Sequence, residues 1–134
     1  MNNRAPLLLT YLQEVRAHGA KLRPGRFDCA LYAAEWVKRC TGQDLASEWR
    51  GTYRRLSDGR AKLRQAGYSD PVELAAAHLI EIQGWQHAQL GDVAAIEEEG
   101  ETAFGLIGGP QIHVLSDLGL DYVFLERATR IFRP

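Results

Sequence analysis

Cys29 is the residue with the most chemical potential in the chain. It directly follows Asp28 and opens the run Cys29-Ala30-Leu31-Tyr32-Ala33-Ala34-Glu35-Trp36-Val37-Lys38-Arg39-Cys40. Asp is a preferred helix N-cap, which puts Cys29 at the first helical position. Unpaired N–H groups and the positive end of the helix dipole favour a thiolate there, the form in which cysteine attacks carbonyl carbon. Cysteine is also a small hydrophobe that cores bury readily, and position alone leaves both readings open. A thiolate nucleophile needs a base, and His113, in Gln111-Ile112-His113-Val114, is the candidate. His87 reads as a solvated loop residue, His78 as packing beside Leu74, and His18 as a cation in the last turn of a helix. Cys40, three turns along from Cys29, reads as core.

The elements that must position these residues follow from pattern. Leu8, Leu9, Leu12 and Val15 recur at helical spacing after Pro6, and His18-Gly19 closes that helix. Lys21 to Phe27 is a basic loop with Pro24-Gly25. The helix begun at Cys29 carries Lys38 and Arg39 in its last turn and Gly42 beyond it. Asp44 to Arg50, Ser57 to Ala66 and Pro71 to Ile80 read as three further short helices, and Gly84 to Leu90 as a loop. After Gly91 the pattern changes to short apolar runs. Asp92 to Ile96, Phe104 to Ile107, Ile112 to Leu115, Tyr122 to Leu125 and Thr129 to Phe132 read as short strands joined by tight turns. Helices first and an antiparallel meander second is an α+β order, with no βαβ alternation. Tyr32, Trp36, Val93, Ile96, Leu106, Ile107, Val114, Val123 and Phe124 are the expected core.

Arg26-Phe27-Asp28-Cys29, then Gly51-Thr52-Tyr53, then Gly91-Asp92-Val93-Ala94-Ala95-Ile96 resemble the NlpC-type branch of papain-like cysteine peptidases. The likeness extends over roughly residues 20–133 and is greatest to small proteins of phage and gene-transfer-agent tail clusters. It implies one NlpC-type domain over 1–134, with N-terminal helices packed on a C-terminal antiparallel sheet. It implies Cys29 as nucleophile, and a base His at the start of the strand Ala103-Phe104-Gly105-Leu106-Ile107. That position here is Ala103, which takes no proton. His113 falls where the family carries a residue that orients its His. Removing the base from such a pair reduces the rate by orders of magnitude. The resemblance therefore implies a tail-tip structural or assembly protein of a phage or phage-like particle, impaired in catalysis. It would be made in the host cytoplasm and placed in the virion tail, with hub or tip proteins as partners. The alternative is an active cysteine peptidase or amidase that cuts peptidoglycan stem peptides during entry, using Cys29 and His113.

Composition sets the outer bounds. The chain has 134 residues, 46% of them hydrophobic and 25% charged, the make-up of one globular domain. Two cysteines eleven apart, with no Cys/His cluster, argue against a disulfide scaffold or a structural zinc, so no metal or cofactor is expected. The run Leu7-Leu8-Leu9 is too short for a signal peptide or a membrane span. The net charge of −1 conceals an asymmetry: residues 1–67 carry 13 basic and 6 acidic residues, and residues 68–134 carry 3 and 11. No nucleic-acid motif frames Arg50, Arg54, Arg55, Arg60, Lys62 and Arg64, so nucleic acid is not an expected partner. Adjacent carboxylates at Glu97-Glu98-Glu99-Gly100-Glu101 do not converge on one point as a cation site requires. Opposite patches on one small domain fit contact with neighbouring proteins instead.

Overall fold

A computed structural model describes residues 4–19 and 21–134. Residues 1–3, part of the segment read as lacking a leader, lie outside the described residues. Among the described residues the architecture is α+β: four α-helices, then a six-stranded, fully antiparallel sheet. The helices are α1 (Arg4–Ala17), α2 (Cys29–Thr41), α3 (Leu56–Gln65) and α4 (Pro71–His78). The strands are β1 (Ile80–Ile82), β2 (Val93–Glu98), β3 (Glu101–Gly108), β4 (Gln111–Ser116), β5 (Gly119–Phe124) and β6 (Arg130–Arg133), in spatial order β1-β6-β2-β3-β4-β5. No helix among the described residues is long and apolar enough to cross a membrane.

Helix α2 is specified at both ends. Asp28 Oδ1 accepts the Leu31 N–H at 2.9 Å. Gly42, at φ +83°, returns its N–H to the Lys38 carbonyl, closing the last turn in a left-handed conformation that favours glycine. The buried face of α2, with Tyr32, Ala33, Trp36 and Val37, packs against Val93, Ala95, Phe104, Leu106, Leu115 and Phe132 of the sheet. The alternate strand residues Ala94, Ile96, Ile107, Ile112 and Ile131 form a second cluster, as the period of two requires. Tyr11 of α1 stacks on both Tyr32 and Trp36. The Trp36 indole N–H donates to the Gly91 carbonyl at 2.7 Å, fixing α2 to the entry of β2. A Cβ at Gly91 would fall 2.9 Å from the Trp36 ring, so glycine is required where the two meet.

Several expectations need correction. Residues 45–51 form hydrogen-bonded turns and not a helix. Asp44 accepts the Ala46 N–H and binds the Arg50 guanidinium, which closes the segment on itself before a helix can propagate. α4 ends at His78, and Ile80–Ile82 pairs with β6 as a strand. Trp85–His87, inside the expected loop, makes a short 3-10 turn. His78 is exposed and does not pack in the core. Phe124 is 67% exposed, because β5 is the sheet's edge and nothing covers the outer part of its helix-side face. Val114 and Val123 are half-buried, and the other six expected core residues are buried.

Candidate functional site

Two loops and helix α3 meet at the start of α2. The carboxylate of Asp28, 1% exposed, takes three donors: the Leu31 N–H, the Gly25 N–H at 3.1 Å and the Tyr53 hydroxyl. Tyr53 is held from two sides. A Cβ at Gly25, whose φ is +81°, would overlap the Tyr53 carbonyl, and one at Gly59 would press on the Tyr53 ring at 2.9 Å. The Gly51 N–H closes the arrangement by donating to the Gly25 carbonyl at 2.8 Å. Pro24-Gly25, Gly51-Thr52-Tyr53 and Gly59 are thus one unit, which aims a phenol at the residue before Cys29. Burial raises the Tyr53 pKa and its bond to Asp28 raises it further, so the phenol stays a donor.

Beside this unit lies a cavity of about 340 Å³ between α2, α3, α4 and the β2–β3 hairpin. Cys29 borders it with Tyr53, Leu63, Leu74, Thr102 and Phe104, and Ala103 borders it too. The floor is apolar, and the rim carries Glu98, Glu99, Glu101 and Arg60. His113 is not among the lining residues. It sits on β4 opposite Leu106, with its ring over Gly108, where a Cβ would meet Nε2 at 2.6 Å. Its carbonyl accepts the Tyr32 hydroxyl at 3.1 Å. Burial, then the nearby Arg16 cation, lowers the His113 pKa.

At Cys29 burial opposes the thiolate that a helix start favours. Burial raises the thiol's pKa against the Phe104 N–H, which favours the anion; the Asp28 charge raises it further, and the Ala30 and Cys29 N–H groups oppose. Magnitudes explain the balance. The field at a helix start is worth about 0.3–1 kcal/mol. That is less than a tenfold change in ionisation, so burial, the larger influence on this thiol, outweighs it. Cys40 is half-buried and pushed up to about 11, again by burial first. Among the described residues no three His, Cys, Asp or Glu side chains come together to hold a metal.

The sequence reading missed the Tyr53–Asp28 bond and the Gly59 contact. Glycine inside an otherwise regular helix at residue 59 was the available signal, since it marks a close approach. The sequence family described as Domain of unknown function (DUF6950) matches residues 2–134, so the chain belongs to that family. No curated protein and no solved structure matches it.

Proposed function

We propose that this DUF6950 chain is a tail protein of a phage or phage-like particle. It keeps an NlpC-type, papain-like peptidase fold as a docking module in tail-tip structure or assembly, in place of hydrolysis. The observation that carries the reading is Cys29 itself: a thiol whose pKa is raised, bordering a cavity that no imidazole lines among the described residues. Acyl transfer to a thiol needs a base to form the thiolate and an acid to protonate the leaving amine. Ala103 supplies neither. The role in a tail, and hub or tip proteins as partners, rest on the resemblance and on the divided charge.

One observation favours a second reading, an active peptidase acting on peptidoglycan stem peptides. Cys29 stands at a helix start on an open cavity, with a strand N–H from Phe104 facing its sulfur. Incubating the protein with peptidoglycan and following released peptides separates the two. The docking reading expects the same trace from the wild type and from Cys29→Ser; release that depends on Cys29 overturns it. Mass spectrometry of purified particles tests the location, and absence of the chain from them points to an assembly factor that leaves before maturation.

A further inference from the structure

The Cys29 cavity combines three features that together describe an occupant. Its walls are apolar, built from Leu56, Leu63, Leu74, Leu79 and Phe104, and about 340 Å³ lies at the small end of ligand-sized clefts. That is roughly ten water volumes, space for one bulky side chain. Its rim is acidic, with Glu98, Glu99 and Glu101 against the single cation Arg60. The rim pairs are loose: Arg60 to Glu101 and Arg127 to Glu98 both span 3.7 Å, and all four side chains are at least 40% exposed. Such pairs contribute little and are easily exchanged for other cations. Glu99 is in no ion pair among the described residues.

The third feature is the turn that carries Glu99. Glu98 pairs with Glu101, so Glu99-Gly100 is a two-residue hairpin loop, with φ +51° and +79°. A turn with both φ values positive is made most easily by Asn-Gly or Asp-Gly. Glu99 is the one non-glycine residue at positive φ among the described residues. The hairpin needs nothing that a glutamate adds there. A strained residue at the lip of a cavity points to function. Here the side chain adds an unpaired carboxylate beside an apolar hole.

We propose that the cavity takes a bulky apolar side chain from a segment of a partner protein, with Lys or Arg on either side of it held by the β2–β3 tip. This rests on the docking reading above and names the chemistry of the partner. A wholly apolar ligand would leave the three carboxylates without a role, and a purely basic one would leave the floor empty. Their combination fits a chain segment that alternates the two.

Fluorescence polarisation with labelled pentapeptides tests it. Acetyl-Lys-Lys-Phe-Lys-Lys-amide should bind at least tenfold more tightly than the same peptide with Ser for Phe. It should also exceed Glu-Glu-Phe-Glu-Glu by at least tenfold in low salt. Glu99→Asn should act in two directions, raising Tm by relieving the turn and weakening the Phe peptide at least threefold. In a Cys40→Ala background, the Phe peptide should slow alkylation of Cys29. Thr102→Trp, which fills the cavity, should abolish binding; if that variant fails to fold, Glu99→Asn still decides the matter. Equal binding of the Phe and Ser peptides, or unchanged affinity in Glu99→Asn, overturns the proposal. Self-association competed by the Phe peptide would make a second copy of this chain the occupant and also overturns it. Failure here leaves the docking reading standing, whereas Cys29-dependent peptidoglycan cleavage removes that reading whatever the peptides do.

Discussion

At Cys29 the sulfur borders a cavity while its proton is held by burial, so access and ionisation are separated in one residue. Alkylation by iodoacetamide should be slower than for a free thiol near pH 7 and should keep rising beyond pH 9, with no plateau near neutrality; an early plateau would mean an activated thiolate. The same shift has a stability consequence. A folded-state pKa above the unfolded value favours the protonated native form, so this contribution is intact below about pH 9 and is lost as pH rises through the folded value. His113 has the opposite sense: its pKa is lowered from 6.5 by burial and then by Arg16. Its contribution is full above pH 6.5 and declines below it as the unfolded chain takes up the proton. His113→Gln should flatten that part of the pH–stability curve. Tyr53→Phe leaves the ring between Gly25 and Gly59 and removes only the hydroxyl on Asp28. A bond to a carboxylate is worth about 1.5–3 kcal/mol, so urea unfolding should show a loss of that order.

At the level of elements, the junctions hold more than the elements do. The Asp92 carboxylate, 1% exposed, binds the Arg133 guanidinium at 2.8 and 2.9 Å and accepts the Gln89 N–H, locking the start of β2 to β6. Arg133→Met strands a buried charge and should lower stability by about 3 kcal/mol or more, measured by denaturant unfolding. Gly42→Ala forces a Cβ into the left-handed cap of α2 and should cost about 1–2 kcal/mol. These junctions also divide what sequence reveals from what it hides. α2 was readable because Asp28 and Gly42 mark its ends in residue type, and β2 to β4 because short apolar runs lie between turn residues. β1 was not, because Ile80-Glu81-Ile82 is three residues long and merges with the apolar pattern of α4. Phe124 was misplaced because strand pattern does not tell an edge from a centre. The cavity was invisible because it belongs to no single element. It forms where α2, α3, α4 and a hairpin fail to close, and among its lining residues it is Cys29 that signals chemistry by its position.

Across the whole molecule, the divided charge of the sequence is joined across its boundary by Arg60 and Glu101, while other bridges tie elements within each half. Arg60 meets Glu101, Arg39 meets Glu14, and Arg130 reaches both Glu73 and Glu81. All are at least partly open to solvent, so 0.5 M salt should change Tm only slightly while weakening partner binding through the acidic tip; equal salt sensitivity of both would count against a charged docking surface. The strand order has a further consequence, in kinetics. β6 is the last of the six strands in sequence, yet it lies between β1 and β2. The sheet therefore cannot grow strand by strand. Helices and the β2-β3-β4-β5 meander form from local contacts, but the slot beside β2 stays open until residues 130–133 arrive from far along the chain, and non-local closure is slow. Until then Ala94 and Ile131 lack each other, and the β2 edge can pair with any extended segment nearby. Refolding should show a late phase that buries this slot. A synthetic peptide of residues 128–134, added during refolding, should compete for it and lower the yield of native protein, making the slot the step at which the fold is most easily diverted.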